Sequence, residues 1–322
     1  MTLGRLHVLA LAGLAVLLGL SLSLGTSDLG PWDMLSGDPQ RRALAVAVIW
    51  ELRCPRTLLA ATTGASLGLA GAVLQGLFRN PLADPGIVGV SATAALGAVL
   101  AFHFGTMPVP AGGIAGGLAA VLLLAALAGR GAGTLVLLLA GAALSSFSVA
   151  LTSLALNLAP SPFAAYEIMF WLLGAVADRS WTEALTALPL VLIGWALLLA
   201  TGRGLAALTL GEDVARSLGI EMTRLRWAAI GGTACCVGAS VAVAGGIGFV
   251  GLVVPHLLRP LVGHDPQRLL PLSAMGGAAL LLAADVAVRI VPAAQELKLG
   301  VVTALVGAPF FLWQVLRLRG SG

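Results

Sequence analysis

Long apolar runs separated by short polar segments extend over almost the whole chain. A helix of about 20 apolar residues can cross the hydrocarbon core of a membrane. The runs predict an all-α integral membrane protein with ten spans, near residues 6–25, 57–77, 87–104, 112–128, 134–156, 184–200, 228–246, a short eighth segment ending near 263, 269–290 and 299–316. The eighth segment is broken by Pro255, and irregular backbone at membrane depth needs protein or a water-filled cavity around it.

Spans 2–5 and spans 7–10 begin in a similar way. Each block starts with a helix rich in small residues, and a turn or segment broken by proline follows it, at Pro81 in the first block and at Pro255 in the second. With the N-terminus inside, span 2 runs inward and span 7 runs outward. The two blocks are therefore predicted to be inverted repeats, an architecture of transporters whose pathway lies between the halves.

The composition agrees with a membrane protein. Of the residues 59% are hydrophobic and 10% are charged, whereas soluble domains carry about 25% charge. No polar run is long enough for a second core, so residues 1–322 are predicted to form a single transmembrane domain. Cys54, Cys235 and Cys236 give neither a metal-binding spacing nor an evident disulfide pair. Arginines scattered among spans, without aromatic interleaving, argue against nucleic-acid binding.

The distribution of positive charge predicts the orientation. With Met1 inside, eleven of the 18 Lys and Arg residues fall in inner segments and seven in outer ones. Because cytoplasmic segments carry the excess of Lys and Arg, both termini and residues 203–227 are expected in the cytoplasm. The first apolar run lacks the small-residue cleavage site of a secretory signal, so we expect it to be retained as a helix.

Residues 203–227, between two spans, carry seven charges in 25 residues: Arg203, Glu212, Asp213, Arg216, Glu221, Arg224 and Arg226. Its pattern predicts two short helices. The first begins after Gly211 and ends near Leu218, with acidic residues in the first turn, where the helix dipole favours them. Gly219 supplies a left-handed stop, and the second helix continues to Arg226.

An apolar stripe crosses the first of these helices. Leu210, Val214 and Leu218 are four residues apart and share one face. This face would contact either a partner or the protein's own spans, and its polar rim would be Glu212, Asp213 and Arg216. Stiff helices between spans favour docking of a soluble partner. The alternative interpretation is an ordinary solvated loop.

Ionisable and polar residues inside the spans are the remaining candidates. Asp285 and Arg289 lie four apart on one helix face and are predicted to pair, with Glu296 completing the network. His256 beside Pro255 is interpreted as a structural residue rather than a ligand. The turn from Asn80 to Gly86 is either a constriction or a rigid connection. No chain of buried acids and histidines indicates a proton relay, which argues against ion-coupled secondary transport.

Several ordered motifs resemble the FecCD-type permeases, the membrane subunits of ATP-binding-cassette importers for iron–siderophores, haem and cobalamin. The motifs are RCPRTLLA, AVLQGLFRNPLADPGIVGVSATAALGAV, LGEDVARSLGI, GGIGFVGLVVPHLLR, HDPQRLLPLSA and ELKLGVVTALVGAPFFLW. The resemblance implies a cobalamin-permease-like fold in a bacterial inner membrane. It also implies a second copy of the chain, two cytoplasmic ATPase subunits that hold ATP and Mg²⁺, and a periplasmic binding protein. The chain itself would have no cofactor and no enzymatic activity.

The resemblance assigns roles residue by residue. Docking of the binding protein falls to Arg53 and Arg289, with Arg56 as a weaker candidate. Gate positions are Asn80, Leu82, Thr134 and Leu135, although Leu135 is apolar where the cobalamin branch has a hydroxyl residue. ATPase coupling falls to Glu212, Asp213, Val214, Arg216, Leu218 and Gly219. The segment FWLLGAVADRSW (170–181) resembles haem permeases, so haem is the expected cargo, with a siderophore or cobalamin as alternatives.

Overall fold

The computed structural model describes residues 3–25, 27–105, 107–129, 133–291 and 296–319, with side chains to residue 312. These residues contain no strand. The α-helices are α1 (Leu3–Ser23), α2 (Pro39–Ala47), α3 (Cys54–Leu77), α4 (Val90–Phe104), α5 (Val109–Ala128), α6 (Thr134–Asn157), α7 (Pro162–Leu172), α8 (Trp181–Ala200), α9 (Gly202–Leu208), α10 (Glu212–Ser217), α11 (Met222–Ala244), α12 (Val250–Leu258), α13 (Pro266–Ile290) and α14 (Leu299–Arg319).

The predicted spans correspond to these helices. Seven helices are long and apolar enough to cross a membrane, and they contain α1, α3, α5, α6, α8, α11 and α13. Three shorter apolar helices lie at 90–104, 250–262 and 299–312 and supply spans 3, 8 and 10. The all-α, ten-span fold is thus confirmed. Arg130, one of the residues counted for orientation, lies outside the described residues.

Spans 3 and 8 each differ from the prediction in one local detail. Span 3 was expected from residue 87, but Pro85–Val88 forms a 3-10 turn and Gly89 takes a φ of +82° before α4 begins. Span 8 is short, as predicted: α12 passes at Leu258 into a 3-10 turn, Arg259–Val262. Pro255 lies inside α12 and does not end it.

Helices α3 and α11 form the centre of the bundle. In the most apolar stretch of each span, 83% of the residues are buried for α3 and 78% for α11, compared with 11% for α1. Glycines on α3 let its neighbours approach to backbone contact. A Cβ on Gly64 would lie 2.3 Å from the carbonyl oxygen of Gly277 on α13, and one on Gly71 would lie 1.9 Å from that of Gly251 on α12. Small residues at such positions are typical of packed membrane helices.

A polar arm precedes the central helix. The Asp38 carboxylate caps α2 by accepting the Gln40 N–H at 3.0 Å. One π-helical turn, Val48–Arg53, then joins α2 to α3. At its start the Trp181 indole N–H donates to the Trp50 carbonyl at 2.8 Å. This arm carries Arg53 to the end of the bundle where α1 and α13 terminate.

Candidate functional site

Five charged residues gather at the end of the bundle where α3 begins, and we call them the outer cluster: Arg53, Arg56, Asp285, Arg289 and Glu296. Asp285 is its centre, with a side chain that is 0% exposed. Its Oδ1 accepts from Arg56 Nη2 at 2.8 Å and from Arg56 Nε at 2.9 Å, while its Oδ2 pairs with Arg289. Arg56 also pairs with Glu296. A buried carboxylate shared by two guanidinium groups is compensated.

Two arginines of this cluster, Arg53 and Arg289, also contact the end of α1. Arg53 Nη1 donates to the carbonyls of Leu22 and Ser23 at 2.9 and 3.0 Å. Arg289 Nη1 donates to the carbonyl of Ser21 at 2.7 Å. The carbonyls at a helix C-terminus lack partners inside the helix and carry partial negative charge. Both arginines therefore cap α1, and their exposed fractions are only 5% and 9%.

The structure confirms the Asp285–Arg289 pair and the membership of Glu296. Sequence reasoning missed the link from Arg56 to Asp285, which joins residues 229 positions apart, and it missed the capping of α1. No local pattern carries either signal. The docking of a binding protein at Arg53, Arg56 and Arg289 stays a prediction.

The turn after α3 lies at the opposite end. The Asn80 Oδ1 accepts the Leu82 N–H at 2.9 Å, and the Leu82 side chain is exposed. Asp84 starts the following 3-10 turn by accepting the Gly86 N–H at 2.9 Å. Burial raises the pKa of the Asp84 carboxyl above its usual range, and this hydrogen bond opposes the rise. Among the described residues, no cation pairs with Asp84.

The second pair of gate candidates starts α6. Thr134 is the first residue of this helix, as predicted, and Leu135 beside it is exposed. One to two turns further along, α6 meets the connection between α3 and α4. A Cβ on Gly141 would lie 2.5 Å from the Ile87 carbonyl oxygen. The two gate candidates thus belong to neighbouring elements at one end, and their gating role stays a prediction.

The segment 203–227 lies at this same end and differs from the prediction in two respects, the first being the unpredicted helix α9 (Gly202–Leu208). The first predicted helix is present as α10, and Gly219 has the expected left-handed backbone with a φ of +84°. The second predicted short helix is wrong, because Met222 begins the long α11. Buried Met222 and Leu225 attach this first part of α11 to the core. The charges to residue 226 limit the apolar run in the sequence, but the helix itself begins earlier, at Met222.

Helix α10 turns its apolar stripe away from the protein. The exposed fractions of Leu210, Val214 and Leu218 are 65%, 42% and 61%. Ala215 on the other side is buried. Of the two options for the stripe, packing against the protein's own spans is therefore wrong for the described structure.

Ion pairs hold α10 in this orientation. The Glu212 carboxylate accepts from Arg216 on the same helix at 2.5 Å and from Arg226 on α11 at 2.7 Å. Arg226 is buried. Asp213 pairs with Arg216 at 3.2 Å and is almost fully exposed. Glu212 thus connects α10 to the central helix α11, while Asp213 stays at the rim.

Comparison with known proteins identifies the family. Residues 13–317 match the model of the FecCD transport family. The chain belongs to this family. The FecCD resemblance read from the motifs is thereby confirmed, and the chain is a membrane permease subunit of an ATP-binding-cassette importer.

Individual FecCD relatives differ in their names. The chain is 44% identical over 288 residues to the vitamin B12 import system permease protein BtuC of Vibrio cholerae, which covers 87% of this chain and 86% of the relative. It is 36% identical to the hemin transport system permease protein HmuU of Yersinia pestis over 98% of both chains. A solved structure of a metal-chelate type ABC transporter in an inward-facing conformation matches with a TM-score of 0.86 and 34% identity, covering 98% of this chain and 99% of that one.

Proposed function

We propose that this FecCD permease imports a corrinoid such as cobalamin, with an ATPase subunit docked on the exposed stripe of α10. The stripe is the observation that carries the proposal. Three large apolar side chains stand exposed on α10 and at its two ends, and the Glu212–Arg226 ion pair fixes this helix to the central helix α11. Burying one Val or Leu side chain contributes about 1.5–3 kcal/mol, so a groove that covers all three would bind firmly.

Two ATPase subunits, with ATP and Mg²⁺ between them, would meet two copies of the permease. A push on α10 would pass to α11 through the Glu212–Arg226 pair and through the joint at Gly219. From there it would reach the turn at Asn80 and Leu82 and the start of α6 at Thr134 and Leu135. These elements are the proposed gate on the axis between the two copies.

A periplasmic binding protein would dock at the outer cluster. Arg53 and Arg289 now donate to neutral carbonyls of α1. A carboxylate adds the Coulomb attraction of a full negative charge to each guanidinium group, which a neutral carbonyl lacks. Acidic residues of a binding protein could therefore take these arginines from α1, so that docking would be an exchange of partners.

The proposed location is a bacterial inner membrane with both termini and α10 in the cytoplasm. Labelling of Leu210→Cys with an impermeant thiol reagent tests this orientation. Cys54, Cys235 and Cys236 would first be replaced by Ser or Ala. Reaction in inverted vesicles but not in right-side-out vesicles is expected, and the reverse would contradict the orientation.

Corrinoid is preferred over haem because the named vitamin B12 relative has the higher identity, 44% against 36%. Haem is the second candidate, since the hemin relative covers 98% of both chains and residues 170–181 resemble haem permeases. A siderophore is the remaining alternative.

Uptake into proteoliposomes tests both parts of the proposal. The permease, its ATPase subunits and its binding protein would be combined with labelled cobalamin, haem or a ferric siderophore, with and without ATP. We expect uptake of cobalamin that needs ATP. Uptake of haem or a siderophore instead would contradict the assignment of a corrinoid as cargo. Uptake that follows an ion gradient without ATP would contradict the assignment of an ATPase as the source of energy.

A further inference from the structure

A cavity of about 260 Å³ lies at the end of the bundle that carries α10. It is formed by the end of α3, the residue after α9 and the connection between α12 and α13. The gate turn contributes to it through Pro81. Its polar lining is Gln75, Arg79, Thr209, Arg259 and His264.

The cavity is lined by basic side chains without acidic ones. Two arginines and one histidine line it, and no acidic side chain does. The nearest acid along the chain is Asp265, next to His264. Its carboxylate is engaged elsewhere, because it accepts the Gln267 N–H at 2.9 Å and pairs with Arg268 at 2.9 Å. The cationic lining therefore has no counter-charge from the described residues around it.

Arg259 is held in place by a buried amide. Gln75 on α3 donates through Nε2 to the carbonyls of Gly251 and Leu252 at 3.2 and 3.3 Å. These bonds fix its Oε1, which accepts from Arg259 Nη2 at 2.6 Å. A guanidinium group has five N–H donors. Among the described residues, only Gln75 accepts a hydrogen bond from the guanidinium group of Arg259. The guanidinium group of Arg259 therefore has N–H donors left for a ligand.

The other two basic residues of the cavity hold uncommon backbone conformations. Arg79 has a φ of +50° and His264 one of +64°, a region that residues with a side chain enter at a cost. Such outliers cluster at ligand-binding sites. Here the two residues belong to separate connections, after α3 and before α13, and both contribute side chains to the same cavity.

We propose that this cavity binds a phosphate group that joins Arg79, Arg259 and His264. Arginine matches phosphate through two parallel N–H···O bonds. Basic pockets between membrane helices bind the headgroups of anionic lipids, so a phospholipid of the adjacent leaflet is one source and a soluble phosphate is the other. The bound group would link the gate turn to the α12–α13 connection, which would make gating sensitive to the anion.

Binding of lipid to the purified permease tests this site without cargo, ATPase or binding protein, so its failure is distinct from failure of the proposed function. The permease would be exchanged into vesicles of phosphatidylcholine with and without phosphatidylglycerol, and retained lipid would be counted by native mass spectrometry. A second arm would add inorganic phosphate to lipid-depleted protein in detergent. The variant is Arg79→Gln with His264→Asn, which keeps the Gln75–Arg259 bond and suits the positive φ at residue 264.

We expect wild type to retain phosphatidylglycerol over phosphatidylcholine, and the double variant to bind it at least about tenfold more weakly because charge-assisted hydrogen bonds are lost. Arg203→Gln is the matched control, since Arg203 is exposed and lies outside the cavity. It should bind as wild type does.

If inorganic phosphate alone binds and the variant abolishes it, the source is a soluble anion and the site stands. Equal binding by wild type and variant in both arms, or equal loss in the control, would overturn the proposal. Should the double variant fail to fold, Arg79→Gln alone is expected to give a smaller loss in the same assay.

Discussion

The outer cluster and helix α10 lie at opposite ends of the bundle and differ in how far the chain itself satisfies their side chains. At the outer cluster, charges are buried and satisfied within the chain, since Asp285 has two arginines and the arginines cap α1. At the α10 end, large apolar side chains are exposed and the acid Asp84 has no cation among the described residues. The buried carboxylate of the outer cluster is therefore compensated within a single chain, whereas no described residue covers the apolar stripe of α10.

The largest effect is expected when the central carboxylate of the outer cluster loses its charge. Asp285→Asn leaves the buried guanidinium groups of Arg56 and Arg289 without their shared carboxylate. Removing one partner of a buried ion pair destabilises a protein by about 3–5 kcal/mol. Thermal unfolding in detergent should show a clearly lower Tm. Asp33→Asn, which removes an exposed pair with Arg41, should change stability by at most about 1 kcal/mol, and a similar Tm for the two variants would contradict the account.

The next effect concerns the contact between the outer cluster and α1. Arg289→Lys keeps the charge beside Asp285 but loses the fork that also reaches the Ser21 carbonyl. Hydrogen bonds to charged groups contribute about 1.5–3 kcal/mol, so the last turn of α1 should open more often. Hydrogen exchange of amides 20–24 should accelerate. Arg41→Lys is the control, and unchanged exchange in Arg289→Lys would mean that the cap does not hold α1.

A smaller effect is expected at the joint after α10. Gly219 has a φ of +84° and no atom near its would-be Cβ, so only the backbone conformation opposes a side chain there. Gly219→Val should cost about 1–2 kcal/mol and tilt α10 relative to α11. ATPase stimulation should fall, and Tm should decrease by only a few degrees. Gly231→Val, at an open position inside α11, is the control, and equal stimulation by both variants would argue against a fixed joint.

The smallest effect is a pH dependence at the α10 end. Because burial raises the pKa of Asp84 in the folded protein, the folded state binds a proton more readily than the unfolded state does. This acid therefore costs stability above its folded pKa, and the cost disappears as the pH falls through that pKa towards the unfolded value of about 4. Asp84→Asn keeps an oxygen for the Gly86 N–H and should remove this contribution. The Tm gain of the variant over wild type should shrink as the pH falls from 8 to 4. A gain that grows over this range would contradict the raised pKa of Asp84.

The sequence allows the spans to be located because hydropathy is a local property. The start of α6 at Thr134, the left-handed Gly219 and the Asp285–Arg289 pair were all predictable from neighbours within about one helical turn. Contacts between distant segments were not, and Arg56 with Asp285 is the main example. The extension of α11 before residue 228 was missed for another reason: hydropathy reports the limit of the membrane, while backbone hydrogen bonding continues beyond it.

Cargo is the part of the site that residue patterns constrain least. The proposed pathway lies between two copies, so one chain supplies only half of its wall. Exposed side chains such as Leu82 and Leu135 have no specific hydrogen-bonding chemistry that would distinguish a corrinoid from haem. Selection by a binding protein would further reduce the demand on the permease itself.

The most direct test of the contrast between the two ends uses one substitution at matched positions. Val214 on α10 and Val46 on α2 are equally exposed, at 42%, and lie at opposite ends of the bundle. Val214→Asp should weaken equilibrium binding of the ATPase subunits about 10–100-fold, the equivalent of losing one buried Val, with an unchanged Tm. Val46→Asp should bind the ATPase as wild type does. Wild-type affinity of the Val214→Asp variant, or an equal loss in both variants, would contradict the account.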